Sequence, residues 1–66
     1  RRQRERQILR LLEPAPAAIT TLVPQMYRGV DERLWTAAGQ SVLAHLIDLE
    51  QRAMVRREGD LWAILA

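Results

Sequence analysis

Apolar residues recur at three- and four-residue steps along most of this chain and gather into short continuous runs, Met54-Val55 and Leu61-Trp62-Ala63-Ile64, near its C-terminal end. Ile8, Leu9, Leu11 and Leu12 place a short apolar face on a first helix over residues 2–13. Pro14 and Pro16 end it, because neither donates a backbone hydrogen bond and each pushes the preceding residue out of the α region. Residues 13–17 then read as a stiff linker. Ile19, Leu22, Val23 and Met26 share one side of a second, shorter helix over 19–27, with Tyr27 at its edge. Thr20 is its expected N-cap, which would put Pro24 just inside the first turn. Gly29 supplies the positive φ that lets the chain leave.

Asp31 is the expected N-cap of the next helical segment, with Thr36 able to cap a fresh start after a separate turn over 31–35. Trp35, Ala38, Val42, Leu46 and Leu49 form one stripe at helical spacing, widened by Leu34 and Leu43. A helix of about 16–20 residues, roughly 24–30 Å long, is expected there. Gly39 interrupts it at a cost of about 1 kcal/mol relative to Ala, and marks close packing of another backbone. Residues 54–57 and 61–65 then read as two strands around the turn cluster Glu58-Gly59-Asp60. The order helix, helix, helix, hairpin is that of a winged helix-turn-helix: mainly α with a small β-hairpin, three helices plus a two-stranded wing, in a single domain over 1–66.

Charge changes the picture more than composition does. All ten cations are Arg, and the net charge is +2. Five Arg against Glu5 and Glu13 leave +3 on residues 1–13, whereas residues 34–51 carry Asp48 and Glu50 with no cation. A third helix entering a DNA groove would bring carboxylates to phosphates. Arg1, Arg2, Arg4 and Arg6 crowd the start of the first helix, where the macrodipole disfavours cations; Arg1 and Glu5 form an i, i+4 pair there. This opening is expected of a segment continued from a longer polypeptide. No run of 18 apolar residues occurs, so neither a membrane span nor a membrane partner is expected, and the charged N-terminus lacks the apolar segment of a signal peptide. The absence of Cys excludes disulfides and thiolate metal sites and fits a cytoplasmic protein. One His excludes an imidazole cluster, so no catalytic, cofactor or metal site is expected within these residues.

The pattern Arg2-x-x-x-Arg6-x-Ile8-Leu9, Pro16, Leu22-Val23-x-x-Met26-Tyr27, Leu34-Trp35-x-Ala37-Ala38 and Ser41-Val42-x-Ala44-His45-Leu46-x-x-Leu49-Glu50 resembles the small winged-helix domain at the C-terminus of certain metallo-β-lactamase-fold hydrolases. The likeness runs from about residue 2 to 62, and the Ala44-His45-Leu46-x-x-Leu49-Glu50 run is its most specific part. Three positions depart from the family pattern: Ala53 stands where Gly is frequent, Ala18 and Thr21 replace a Thr/Glu capping pair, and Thr36 stands where Pro is common. The resemblance implies an accessory role. In such enzymes a separate domain holds metal, usually zinc, through a His-x-His-x-Asp-His cluster absent here. The winged domain packs on that catalytic domain of the same chain, shapes the substrate entrance and helps form a homodimer.

His45 and Trp35 on the third helix, with Arg2 and Arg6 on the first, are the candidate interface or substrate-entrance residues. Each also has a plainer reading, which is favoured. His45 fits a half-buried imidazole bonded to a carbonyl or carboxylate. Trp35 and Trp62, which could stack on bases, fit one small core, and the opening Arg group, which could bind phosphates, fits a seam with the catalytic domain or a solvated face. The alternative is a nucleic-acid-binding winged helix-turn-helix of a transcriptional regulator or an RNA-processing nuclease, with Arg52, Arg56 and Arg57 gripping phosphates. Glu58 and Asp60 beside them weaken that field. Asp48 and Glu50 lie on different sides of a helix and are no catalytic pair. A self-associating apolar face is a third, weaker reading.

Overall fold

The computed structural model describes residues 2–65. Along the chain run α1 (Arg2–Leu12), β1 (Ala17–Ala18), α2 (Ile19–Met26), a 3-10 turn (Glu32–Leu34), α3 (Trp35–Gln51), β2 (Val55–Glu58) and β3 (Leu61–Ile64). The three helices and the antiparallel β2–β3 hairpin are those of a winged helix, as expected. One element was not: Ala17 and Ala18 form a short strand rather than linker. They pair with Trp62 and Leu61, so the sheet has the order β1-β3-β2 with β3 in its centre.

That small pairing also moves the start of α2. Ala18, held extended (φ −86°, ψ 158°) against Leu61, takes the N-cap position with no side-chain cap, in place of Thr20. Pro24 therefore falls six residues into the helix instead of in its first turn. Its missing N–H leaves the carbonyl of the exposed Thr20 to solvent. Asp31 does act as a cap: its Oδ1 accepts from the Arg33 backbone N–H at 2.9 Å, and the Leu34 N–H donates to the Asp31 carbonyl. The element it caps is the 3-10 turn, and α3 starts at Trp35 without a cap from Thr36.

The core lies where α1, α2 and α3 meet the sheet. Ile8 and Leu12 from α1, Leu22, Val23 and Met26 from α2, and Ala38, Val42, Leu46 and Leu49 from α3 are buried, with Val55 and Trp62 from the wing. Val42, Leu46 and Leu49 are fully buried, so each contributes about 1.5–3 kcal/mol by leaving water. Trp35 packs half-buried against the same cluster, so both tryptophans belong to one core, as expected. Leu43 widens the stripe, but Leu34 does not; it ends the 3-10 turn and is 58% exposed. Beside Gly39 lie the side chains of Ile19 and Val23 rather than a backbone.

The wing is set by local backbone chemistry. Met54 N–H donates to the Leu49 carbonyl and Ala53 N–H to that of Glu50, both at 2.9 Å. These bonds close α3 in a Schellman motif, whose C′ residue must be left-handed. Ala53 sits there with φ 60°, the one non-glycine residue with positive φ among those described. The hairpin closes at Glu58↔Leu61 through Gly59-Asp60, with Gly59 at φ +57°. Glycine at the first of two loop residues with positive φ is the mark of a type II′ turn, which matches the twist of the strands.

Candidate docking interface

Arg52, Arg56 and Arg57 cluster at the wing, but each is engaged within the molecule. Arg52 leaves the end of α3 and reaches two carboxylates. Its Nη2 lies 2.7 Å from Glu5 Oε1 and 3.1 Å from Asp48 Oδ2. The bond to Glu5, more than the charge of Asp48, raises the Arg52 pKa further above its ordinary value. Arg52 thus clips α1 to α3. The Arg1 side of the expected Arg1–Glu5 pair lies outside the described residues. Arg56 pairs with Glu58, two residues on along the same side of β2, at 2.7 Å. Arg57 faces Trp62 across the strands, and its guanidinium stands 4.1 Å from the ring centroid. Stacking there covers one side of the indole with a cation that keeps its own hydration at the rim.

The solvent side of α3 adds no charge that would attract a polyanion. Thr36, Ala37, Gln40, Ser41, Ala44, Ile47, Glu50 and Gln51 are its exposed residues, with one carboxylate and no cation. At the other end of the stretch, Arg33 grips Asp31 in a paired contact, Nη2 to Oδ2 at 2.9 Å. Hydrogen bonds from Arg33 hold the Asp31 carboxyl below its ordinary range.

The four residues expected at an interface do not form one site. Trp35 opens α3 and lines a groove between α2 and α3 with Ile19, Val23, Pro24 and Gly39. Its Nε1 is buried and has no hydrogen-bond partner among the described residues. His45 lies ten residues further along the same helix, about 15 Å away along its axis. It is half-buried, and among the described residues no hydrogen bond reaches its imidazole. Arg2 and Arg6 are exposed on α1. Arg6 instead borders a second groove, of about 530 Å³, between α1 and the wing.

Two features of α1 escape a reading of residue types alone. Arg4 lies between the helices: its guanidinium is 4.5 Å from the Tyr27 ring centroid, and Nη1 donates to Gln7 Oε1 at 3.0 Å and to the Met26 carbonyl at 3.3 Å. A cation at the carbonyl end of α2 suits its macrodipole. Arg10 joins Arg6 at the groove, beside Leu9, Met54, Ile64 and Leu65. The repeat Arg2, Arg6, Arg10 was the available signal. It becomes a surface only once the wing folds back beside α1.

Among the described residues no group of three or more His, Asp or Glu converges as metal ligands would. His45 has no such company, so the side chains present do not fit a zinc site. No helix of the described residues is long and apolar enough to cross a membrane.

Comparison with known families gives one match. The model of the beta-lactamase associated winged helix domain matches residues 19–62, from the first residue of α2 to Trp62 of β3. The chain belongs to that family. No curated protein and no solved structure matches it.

Proposed function

We propose that this beta-lactamase associated winged helix domain is an accessory part of a metal-dependent hydrolase of the metallo-β-lactamase fold, in which it packs on the catalytic domain and shapes the active-site entrance or the dimer. The reading rests first on the family match over residues 19–62. It is supported by the use of charge at the wing: Arg52, Arg56 and Arg57 are spent on Glu5, Asp48, Glu58 and Trp62, and the outer face of α3 carries no cation. At the wing and on α3, a domain built this way has surface to offer a protein and little to offer phosphates.

In this reading the catalytic domain of the same polypeptide holds the metal, zinc, which when bound lowers the pKa of a water to near neutrality. The present residues do no chemistry. They fix the position of a neighbouring surface, and misplacement of a substrate by about 1 Å can cost on the order of 100-fold in rate. The cytoplasm is the proposed compartment.

The test compares the full-length polypeptide with a form lacking this domain, for bound zinc and for hydrolysis across thioester, lactone and RNA substrates. The expected result is retained zinc with kcat/KM lowered on the order of tenfold or more. Equal kcat/KM in the two forms, or hydrolysis indifferent to metal chelation and return, would overturn the proposal.

A further inference from the structure

Among the described residues five large apolar side chains are exposed, those of Leu34, Ile47, Met54, Leu61 and Leu65. Met54 and Leu65 share a groove. They are neighbours in space because the Leu65 N–H donates to the Met54 carbonyl at 3.1 Å, just past the paired ends of β2 and β3. Leu9 and Ile64 complete an aliphatic floor between α1 and the wing.

Two unspent charges, Arg6 and Arg10, line the rim of this groove. Arg4, Arg33, Arg52, Arg56 and Arg57 each hold a partner within the molecule. Arg2, Arg6, Arg10 and Arg28 are exposed, and among the described residues none of them forms an ion pair. The first three stand on three successive turns of one side of α1, at intervals of about 6 Å. Glu13, at the end of the groove, is the one carboxylate among its lining residues.

From this arrangement we infer that the groove between α1 and the wing seats an acidic amphipathic helix of the catalytic domain, with aliphatic side chains on the floor and carboxylates, four residues apart, on Arg6 and Arg10. The inference rests on the accessory reading above and adds to it the face and the chemistry of contact. Four-residue spacing on the occupant matches four-residue spacing on α1, so two charge-assisted pairs form at once. A second copy of this domain does not supply the pattern. Its acidic residues are Glu5, Glu13, Asp31, Glu32, Asp48, Glu50, Glu58 and Asp60, and no two of them are three or four apart. A nucleic acid would meet the arginines but gain nothing from a floor of Leu, Ile and Met, which offers neither stacking nor hydrogen bonds.

Residues 1–66 contain no lysine, which makes the contact traceable. In the full-length polypeptide, the double variant Arg6→Lys, Arg10→Lys keeps both charges and adds two amines. A carbodiimide then joins each amine to a touching carboxylate as an amide and takes up the water released. Peptide mapping is expected to find positions 6 and 10 joined, within one molecule, to two acidic residues outside 1–66 that are four residues apart. In the companion variant Arg6→Glu, Arg10→Glu, the amides of residues 54–65 are expected to exchange severalfold faster than in the parent. Links confined to Glu13 or to other residues of this domain, links between copies, or links abolished by added oligonucleotide would each overturn the inference. If such a result appears while removal of the domain still lowers kcat/KM, the face is wrong and the accessory role stands. If removal changes nothing, the accessory role itself falls.

Discussion

Ala53 shows how one residue can carry a fold's local strain in plain sight. Its Schellman hydrogen bonds satisfy the last carbonyls of α3, but they require a left-handed backbone that a β-carbon resists, at about 1–2 kcal/mol. The need was legible in the sequence, because Ala stands where the resembled family often has Gly. The Ala53→Gly variant is expected to stabilise the domain by about 1 kcal/mol, a gain trimmed by the greater freedom of glycine in the unfolded chain. Denaturant unfolding followed by tryptophan fluorescence checks it; an unchanged or lowered midpoint would show that the methyl group is doing something else there. Other single side chains were less legible. The stacking of Arg57 on Trp62 depends on cross-strand register, which residue types do not reveal. The bond from Arg52 to Glu5 spans 47 positions, beyond any local rule.

Among the elements, α3 was the clearest in the sequence, since one helical arrangement buries Ala38, Val42, Leu46 and Leu49 together. β1 was the least clear. Two alanines after two prolines have no strand propensity and no alternation to detect; they are extended because the open edge of β3 pairs with them. The same contact overrode the capping preference of Thr20, so an unseen strand displaced the start of a visible helix. Gly39 tests the packing of α2 on α3. A β-carbon there would meet Ile19 Cγ2 at 3.5 Å and Val23 Cγ2 at 3.8 Å, which is ordinary contact. Gly39→Ala is therefore expected to stabilise the domain by about 0.5–1 kcal/mol through helix propensity, and to raise the melting temperature by about 4–8 °C per kcal/mol for a domain of this size. A fall in melting temperature would mean that the two helices approach more closely than these distances allow.

Over the whole molecule, the proposal of a protein partner rather than a nucleic acid rests on the uneven distribution of charge along the chain. The basic opening segment divides in two: Arg4 and Glu5 are absorbed into contacts with α2 and α3, while Arg2, Arg6 and Arg10 face outward. The wing arginines are exposed but partnered by carboxylates and an indole, and the helix that would enter a groove presents Glu50 and no cation. The sequence already showed the acidic third helix and the basic start. It could not show which arginines would be consumed, because that depends on how the wing returns beside α1 and α3. The most direct measurement is fluorescence anisotropy of labelled duplex DNA and single-stranded RNA titrated with the full-length polypeptide between about 50 and 200 mM salt. The account predicts no binding that strengthens as salt is lowered and covers the outer face of α3. A steep salt dependence, with protection of Gln40, Ala44 and Ile47 on α3 by the nucleic acid, would contradict it.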